Sequence, residues 1–227
     1  YMWLSPYTDV RMDMSLMDIA IPHEPSVLYA YNGSDRRERV GPLHPVSGAG
    51  LSDAHPRIYT SYEEIPVDLI NAFVAIEDKR FWHHDGVDML RTARAGLQYM
   101  TGNATFGGST ITQQLVKNLT GYTDHSVERK LNEISCALDL EKKTDKKSIL
   151  EAYLNVINLA EGCYGVGAAA KRYFSKSISE LTLPECATIA AITNNPSRYD
   201  PLVHPEDNRS RRDLILREMA DQGYISE

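Results

Sequence analysis

Residues 107–118, with the sequence Gly-Gly-Ser-Thr-Ile-Thr-Gln-Gln-Leu-Val-Lys-Asn, combine side chains that could bind an anion. Ser109, Gln113 and Lys117 recur every four residues, so on a helix they would share one face. Ser109 is the predicted N-cap of that helix. A helix N-terminus with free N–H groups beside a hydroxyl, an amide and an ammonium is typical of a phosphate or pyrophosphate site. The competing interpretation is a capped amphipathic helix with a solvated polar face.

A first candidate catalytic carboxylate, Glu77, ends a predicted apolar helix and is followed by Asp78. A carboxylate in this position, beside a second acid, can act as a general base. The alternative is an exposed acidic helix end, although acids there oppose the helix dipole. The nearby sequence His83-His84-Asp85 could suggest a metal site. Three consecutive residues do not readily converge on one ion, however, and no His-x-x-x-His pair accompanies them.

The second candidate carboxylate is Glu133, four residues after Arg129 and on the same predicted helix face. The two residues could form a surface ion pair worth roughly a few tenths of a kcal/mol. They could instead place a carboxylate and cations on the wall of a cleft that faces Lys117. Two acids with two or three fixed cations suit glycosyl transfer from a diphosphate donor, because one acid activates the acceptor hydroxyl and the cations stabilise the departing pyrophosphate.

The elements that position these residues are predicted to be mainly helices. Apolar residues at helical spacing predict helices at 66–78, 87–100, 109–119, 126–142, 145–159, 165–174, 182–193 and 206–221. Thr182 and Glu185 form a predicted capping box. The buried stripe of the 126–142 helix is predicted to contain Val127, Leu131, Ile134 and Leu138. The predicted fold class is therefore mainly α.

Before residue 60 the pattern is different. Residues 27–31 predict a short strand that ends in a turn at Asn32-Gly33, and residues 41–56 predict a loop rich in Gly, Pro, His and Ser. Residues 1–22 are Met-rich and are interpreted as an N-terminal lead-in, either juxtamembrane or an edge strand. Residues 23–227 are interpreted as one catalytic domain.

Composition limits the classes of function. A chain of 227 residues can form one large domain, or a domain with a smaller lobe. The net charge of −7 argues against a general nucleic-acid binder. The three cysteines cannot all pair with one another, and Cys136 and Cys186 are predicted to be small buried apolar residues. No apolar run reaches the roughly 18 residues of a membrane span, and no signal peptide is visible.

Taken together, these segments resemble the peptidoglycan glycosyltransferases of family 51, which occur in class A penicillin-binding proteins and as monofunctional enzymes. The similarity covers about residues 25–217 in five ordered motifs. The motifs are Glu77-Asp78-x-x-Phe81-x-x-His84-x-Gly86, the segment 107–118, Arg129-Lys130-x-x-Glu133, Lys147-x-Ile149-Leu150-Glu151-x-Tyr153-Leu154-Asn155, and the later segments Gly162-x-x-Gly165, 168–174 and Asn195-Pro196-Ser197. The fourth motif is expected mainly to support the fold.

The resemblance implies a role for each matching residue. Glu77 would be the general base, and Glu133 would assist by orienting groups or helping the leaving phosphate. Lys117, Arg129 and Lys130 would hold the pyrophosphates. The other implied substrate-binding positions are Arg94, Ser109, Thr110, Gln113, Gln114, Asp78, Phe81 and His84. One departure from the family is His125, which stands where some relatives carry Arg.

The implied fold is a lysozyme-like helical head with a smaller, mobile, membrane-facing jaw lobe. The implied reaction is inverting transfer, in which the GlcNAc 4-hydroxyl of one lipid II attacks the growing strand and undecaprenyl diphosphate leaves. No cofactor is required by the sequence, which has no dedicated metal-ligand cluster, although a divalent cation (Mg or Mn) is expected to stimulate the reaction. The implied partners are lipid II, the glycan strand, the membrane surface, a C-terminal transpeptidase domain and divisome or elongation proteins. The implied location is the outer face of the bacterial cytoplasmic membrane, with an N-terminal transmembrane anchor outside this chain.

Residues 87–106 are predicted to lie in the lipid headgroup zone. Apolar side chains alternate there with cations and an amide: Met89, Leu90, Leu97, Tyr99, Met100 and Phe106, with Arg91, Arg94 and Gln98. The alternative for this segment is a core helix with solvated arginines. Two alternative functions also remain, a lysozyme-like lytic enzyme and a non-catalytic scaffold. The sequence contains neither Ser-x-x-Lys nor Lys-Thr-Gly, so it carries no acyl-serine transpeptidase motif.

Overall fold

The computed structural model describes residues 58–92, 108–121 and 127–226, the strand backbones 26–31 and 37–43, and the single residues Asp13, Met14 and Met17. Within these ranges the α-helices are α1 (Val67–Glu77), α2 (Ile111–Thr120), α3 (Val127–Lys143), α4 (Lys146–Val156), α5 (Val166–Phe174), α6 (Leu183–Ile192) and α7 (Pro205–Asp221). Short 3-10 helices occur at Tyr62–Glu64, Phe81–His83 and Ile178–Glu180. The predicted mainly α class is confirmed. None of the described helices is both long and apolar enough to cross a bilayer.

The described N-terminal part contains a two-stranded antiparallel ribbon. Strand β1 (Ser26–Tyr31) pairs with β2 (Arg37–Leu43), with an irregularity in register between Leu28 and Tyr29. The predicted strand is confirmed, but the predicted loop is wrong for residues 41–43, which belong to β2. Strand β2 is rich in Arg and ends in Gly-Pro-Leu, so it lacks the apolar alternation that predicts a strand; pairing with β1 supplies its stability. The predicted turn at residues 32 and 33 lies outside the described residues.

Helix α1 lies at the centre of the described core. Leu69, Ala72, Phe73, Val74 and Ala75 have no exposed surface, and the helix packs against α6 and α7. Helix α6 is also apolar on nearly every face, which is typical of a helix buried within a protein. Its predicted capping box of Thr182 and Glu185 is confirmed. The core therefore holds α1 firmly, and Glu77 emerges at the C-terminal end of this rigid element.

Helix α3 is rotated relative to the prediction. Its buried residues are Glu133, Cys136, Ala137 and Leu140, whereas Val127 is 78% exposed and Leu138 is 39% exposed. The predicted buried stripe is therefore wrong at Val127 and Leu138. The buried face lies close to the loop after α1, because a Cβ at Gly86 would be 2.6 Å from the Ala137 carbonyl oxygen. The apolar pattern of α3 contains no sign of this close backbone approach.

The fourth sequence motif attaches residues 59–62 to α4. The amide of Asn155 pairs with the backbone of Thr60, accepting from its N–H at 2.9 Å and donating to its carbonyl at 2.8 Å. Glu151 accepts hydrogen bonds from the Tyr62 N–H, at 2.7 Å, and from the Tyr59 hydroxyl. Burial and the neighbouring Glu151 raise the pKa of Tyr59 above its ordinary value, so this phenol is a neutral donor. These contacts give Asn155 and Glu151 a structural role.

The three cysteines are free and buried. The predictions for Cys136 and Cys186 as small buried residues are therefore confirmed. Burial raises the pKa of Cys186 to about 12, so this thiol stays protonated at neutral pH.

Candidate active site

Both carboxylate oxygens of Glu77 are held by neutral donors. The Gln114 amide nitrogen donates to Oε2 at 2.9 Å, and the Thr193 hydroxyl donates to Oε1 at 2.6 Å. The Glu77 side chain is half-buried, and its backbone carbonyl accepts a hydrogen bond from the Arg91 guanidinium. Each carboxylate oxygen has two lone pairs, so each can still accept one more hydrogen bond. The arrangement fixes the carboxylate without using up its capacity to accept a proton.

A buried tyrosine fixes the orientation of Gln114. The Tyr153 hydroxyl donates to the amide oxygen of Gln114 at 3.1 Å, so the amide nitrogen is directed to Glu77. Burial, with Glu77 and Asp78 nearby, raises the pKa of Tyr153 well above its ordinary value, and the phenol therefore remains a donor at neutral pH. Neither Tyr153 nor Thr193 was predicted to belong to the site. Nothing in a single sequence links them to Glu77, because they lie 76 and 116 positions farther along the chain.

Asp78 connects the loop after α1 to the start of α2. Its carboxylate is fully buried, accepts from the Ile111 N–H at 3.0 Å and lies 2.9 Å from His84 Nε2. Nδ1 of His84 accepts from the Gly86 N–H at 3.2 Å, so the ring proton is on Nε2 and is donated to Asp78. Phe81 is buried beside this pair, with its ring edge-on to His84. These side chains support the loop behind Glu77, and direct substrate contact by Asp78, Phe81 and His84 stays a prediction.

The start of α2 differs from the prediction. Its N-cap is Thr110 rather than Ser109, because the Thr110 hydroxyl accepts from the Gln113 N–H at 3.1 Å and donates to the Gly86 carbonyl at 2.6 Å. The Gln113 side chain completes the capping box by accepting from the Thr110 N–H at 3.0 Å. The cap therefore lies one residue later than predicted, and its hydroxyl also forms a tertiary contact with Gly86.

The capped helix end has consequences for anion binding. The N–H groups of Thr110, Ile111 and Gln113 already donate to protein oxygens, so the predicted free N–H groups are not found at these three positions. The helix dipole is complemented instead by the Asp78 carboxylate. Gln113 is only 1% exposed, whereas Lys117 is exposed, so the competing interpretation of a solvated polar face is wrong at Gln113. Direct substrate contact by Thr110 and Gln113 stays a prediction.

Glu133 is buried between two cations. Arg129 donates to Oε2 at 2.8 Å, and the Lys130 ammonium donates both to Oε1 and, at 2.9 Å, to the Ser109 hydroxyl. Two positive charges and one negative charge leave this cluster with a net charge of +1. Its position is fixed relative to α2 through Ser109.

Helix α2 links the two candidate carboxylates. Gln114 contacts Glu77, and Ser109, five residues earlier, contacts the Glu133 cluster. Ser109 directly precedes the N-cap Thr110, so both contacts lie at the N-terminal end of α2. Lys117 is three residues after Gln114, on a neighbouring position of the same face, and its ammonium makes no hydrogen bond or ion pair within the described part of the chain. Arg94 and His125, and residues 93–106 of the predicted headgroup segment, lie outside the described residues.

Asp88 anchors the backbone beside Glu77. Its buried carboxylate accepts from Arg80 Nε at 2.8 Å and from the Arg91 N–H at 2.9 Å, and residues 89–92 that follow are helical. These contacts lower the pKa of Asp88 from 3.8 to about 2, with the hydrogen bond from Arg80 as the largest cause.

We expect the contribution of Asp88 to the free energy of unfolding to depend on pH. A lowered pKa in the folded state means that the contribution is complete above pH 3.8 and is lost as the pH falls towards 2. The difference in free energy of unfolding between the wild-type protein and Asp88→Asn should therefore be largest above pH 4 and shrink as the pH approaches 2. Urea unfolding at several pH values measures this difference. A difference that stayed constant from pH 6 to pH 2.5 would contradict the assignment.

A metal site is not formed by the described residues. Among them no group of three or more His, Cys, Asp or Glu side chains could hold a metal ion. In the sequence His83-His84-Asp85, His84 faces Asp78, whereas His83 and Asp85 are exposed. These three side chains therefore do not converge.

Comparison with known proteins agrees with the motifs. The sequence model of the family described as Transglycosylase matches residues 45–220. Penicillin-binding protein 1A of Aquifex aeolicus is 48% identical over 178 residues, which cover 78% of this chain and 24% of that protein. A putative transglycosylase of Cupriavidus necator is 40% identical over 172 residues, covering 76% of this chain and 74% of that protein. A crystal structure of penicillin-binding protein 1A from Haemophilus influenzae is 26% identical, with a TM-score of 0.45, and covers 90% of this chain and 19% of that chain.

The first relatives are much longer than this chain, which spans about a quarter of the length of the Aquifex aeolicus and Bacillus subtilis penicillin-binding proteins that it matches. The family match, by contrast, extends over α1 to α7 almost to the end of the last helix. It includes Glu77, the capped helix α2 and the Glu133 cluster. The predicted peptidoglycan glycosyltransferase domain is thereby confirmed, and the chain belongs to the Transglycosylase family.

Proposed function

We propose that this domain polymerises lipid II into β-1,4-linked glycan strands with Glu77 as the general base. The observation that carries the proposal is the position of Glu77, at the end of a buried helix with a donor on each carboxylate oxygen. A general base must be held in place yet keep a lone pair for the incoming proton. Glu77 meets both requirements, and the family membership supplies the class of reaction.

In the proposed reaction, Glu77 takes the proton from the 4-hydroxyl of the acceptor GlcNAc. The oxygen attacks the anomeric carbon of the MurNAc at the end of the growing strand. The bond from that carbon to the phosphate oxygen breaks, and undecaprenyl diphosphate leaves with the electron pair. Attack opposite the leaving group converts the α-linkage to a β-linkage. The nucleophile and leaving group are therefore on opposite sides of the sugar, which requires the base and the cations to be in separate places.

In this proposal the side chains of Lys117, Arg129 and Lys130 bind the leaving diphosphate. Cations stabilise the charge that develops on the departing oxygen. Glu133 receives hydrogen bonds from both Arg129 and Lys130, so in this proposal it orients these cations and does not transfer a proton. Helix N–H groups have no part in this proposal, because those of Thr110, Ile111 and Gln113 are already bonded. A divalent cation that stimulates the reaction stays a prediction, and no step of the mechanism passes through a metal.

Incubation with labelled lipid II, followed by separation of the glycan chains by length, tests the proposed function. We expect long chains and release of undecaprenyl diphosphate. The alternative lytic enzyme would instead release reducing ends from finished cell wall and would form no chains from lipid II. The scaffold alternative would yield neither product. Each of the three functions therefore has a distinct outcome in one pair of assays.

The proposed cation site predicts the effect of Lys117→Ala and Arg129→Ala. A charge-assisted hydrogen bond to phosphate in a partly shielded site is strong, so each variant should lose about ten- to hundredfold in kcat/KM with lipid II. Phosphoglycolipid inhibitors that resemble the donor, such as moenomycin, should lose affinity in parallel. Lys171→Ala, which removes an exposed cation on α5, is the matched control. Normal turnover and inhibitor binding by both variants would rule out the cation site.

We further propose that the domain works at the outer face of the cytoplasmic membrane, as part of a longer protein with a transmembrane anchor. The substrate's polyprenyl tail stays in the bilayer, so the active site must be at its surface. Met89 and Leu90, at the start of the predicted headgroup segment, are 73% and 59% exposed. A C-terminal transpeptidase domain and divisome or elongation proteins are the proposed partners, as the lengths of the penicillin-binding relatives suggest.

The membrane proposal predicts that Met89→Ser combined with Leu90→Ser weakens binding to anionic lipid vesicles. Activity on long-chain lipid II should fall several-fold, whereas activity on a short-chain soluble analogue should be largely retained, because only the former requires the bilayer. Leu202→Ser with Val203→Ser is the control pair, since these residues are similarly exposed, at 55% and 59%, near the start of α7. Equal losses of activity on both substrates would instead show that Met89 and Leu90 stabilise the folded domain and do not bind the membrane.

A further inference from the structure

The geometry points to Tyr153 and Thr193 as positioning residues for Glu77, one for each carboxylate oxygen. Thr193 acts directly on Oε1, and Tyr153 acts on Oε2 through the amide of Gln114. The inference rests on the proposed function of Glu77 as the base and assigns the residues that orient it. Neither residue was predicted to belong to the site from the sequence.

The Tyr153 hydroxyl has a function that the core does not require. Tyr153 is fully buried and packs edge-on against Phe73, with ring centroids 6.0 Å apart. Phenylalanine would fill this space equally well, and burying a hydroxyl is unfavourable unless it is hydrogen-bonded. The partner of the hydroxyl is the oxygen of Gln114. Tyr153 therefore selects one of the two orientations of the Gln114 amide, the one that directs N–H rather than oxygen at Glu77.

Thr193 holds the other oxygen from a separate part of the fold. It is the C-cap of α6, and its single hydroxyl proton has two acceptors within reach. They are Glu77 Oε1 at 2.6 Å and the Ala190 carbonyl at 3.0 Å. An ionised carboxylate is the stronger acceptor, so the hydroxyl donates to Glu77 before proton transfer. After Glu77 has been protonated, the hydroxyl can turn to Ala190 and remain hydrogen-bonded.

Holding both oxygens fixes the direction of the remaining lone pairs. Glu77 has three side-chain torsions and is attached to a helix that the core holds still, so the two hydrogen bonds are the main restraint on its carboxylate. Alignment of a base with the hydroxyl that it deprotonates affects the rate of the chemical step more than the binding of substrate. Loss of either restraint should therefore lower kcat and leave KM for lipid II nearly unchanged.

The test compares Tyr153→Phe, Thr193→Val and Thr193→Ser in steady-state polymerisation of lipid II, with melting temperatures measured alongside. We expect kcat to fall about tenfold or more in Thr193→Val, which loses a bond to a charged group, and about three- to tenfold in Tyr153→Phe. Thr193→Ser keeps the hydroxyl and should keep most of the wild-type kcat. KM should change less than twofold in all three variants.

Two matched controls each remove a hydroxyl that does not contact Glu77. They separate the general effect of losing a hydroxyl from the effect of losing the restraint on Glu77. Tyr173→Phe removes a tyrosine hydroxyl that donates to the Leu159 carbonyl at 2.7 Å, and Thr188→Val removes a threonine hydroxyl that donates to the Pro184 carbonyl at 2.8 Å. Neither residue contacts Glu77, so both controls should keep wild-type kcat at a melting temperature similar to those of the test variants.

The outcomes separate this inference from the proposed function. If Glu77→Gln is inactive while Tyr153→Phe and Thr193→Val keep wild-type kcat, the positioning inference is wrong and the base assignment stands. If Thr193→Ser loses as much kcat as Thr193→Val, or if KM rises in step with the loss of kcat, positioning through the hydroxyl is also overturned. If Glu77→Gln remains active, the proposed function itself fails.

Discussion

Glu77→Gln should abolish elongation of glycan chains while leaving the fold and lipid II binding largely intact. The substitution keeps the shape of the side chain and removes its ability to take a proton. Removal of a general base typically lowers the rate by a factor of about 10²–10⁴, so at least this loss is expected in kcat. The structure explains why the fold should tolerate the change. The amide oxygen can still accept from Gln114, and Thr193 can turn its hydroxyl to the Ala190 carbonyl and accept from the new N–H.

The measurement is the yield and length of chains from labelled lipid II, with binding of lipid II and the melting temperature recorded for the same sample. Glu63→Gln, which changes an exposed acid in a 3-10 helix, is the control and should polymerise normally. Substantial polymerisation by Glu77→Gln would exclude Glu77 as the base. Glu133→Gln should also be severe, but it should weaken lipid II binding as well as turnover, because it releases Arg129 and Lys130.

Gly86→Ala should be among the most destabilising substitutions of the first motif. Gly86 has a φ of +91°, and an added Cβ would lie 2.6 Å from the Ala137 carbonyl oxygen and 2.9 Å from its carbon. The strained backbone costs roughly 1–2 kcal/mol and overlap with a packed backbone roughly 1–3 kcal/mol more. The free energy of unfolding should therefore fall by about 2–5 kcal/mol. The variant should also lose activity, because the Gly86 carbonyl holds the N-cap of α2.

Gly121→Ala is a matched control for this prediction. Gly121 also has a positive φ, +65°, but a Cβ there would meet nothing within 4 Å. The control therefore carries the backbone strain without the overlap and should lose only about 1–2 kcal/mol. Denaturant unfolding of the two variants measures the difference. Equal destabilisation would show that the approach of Gly86 to α3 adds no penalty.

Local chemistry made much of the fold predictable. Helix α6 combines Pro at its start with the Thr182 capping box, so its beginning follows from side chains that are adjacent in sequence. The end of α1 at Glu77 follows from an apolar run that stops at two acids. Strand β2 was not predicted, because its stability comes from pairing with β1 and not from its own pattern.

Long-range contacts contribute to features that the apolar pattern did not predict. The N-cap of α2 is Thr110 rather than Ser109, and a hydrogen bond to Gly86, 24 residues away, reinforces its local capping box with Gln113. The same glycine closely approaches Ala137 on the buried face of α3. A pattern of apolar residues carries no information about such contacts.

By itself, the sequence determined the family, the mainly α class and the identity of the candidate carboxylates and cations, because these depend on residue types at fixed spacings along single segments. Only the tertiary structure decided what each of these residues contacts. In the folded protein, Gln114 and Thr193 donate to Glu77. Glu133 lies between Arg129 and Lys130. The Ile111 N–H at the start of α2 donates to Asp78. The physical reason is that a hydrogen bond needs two groups at about 3 Å. Around Glu77 such partners come from segments up to 116 residues apart, which only folding brings together.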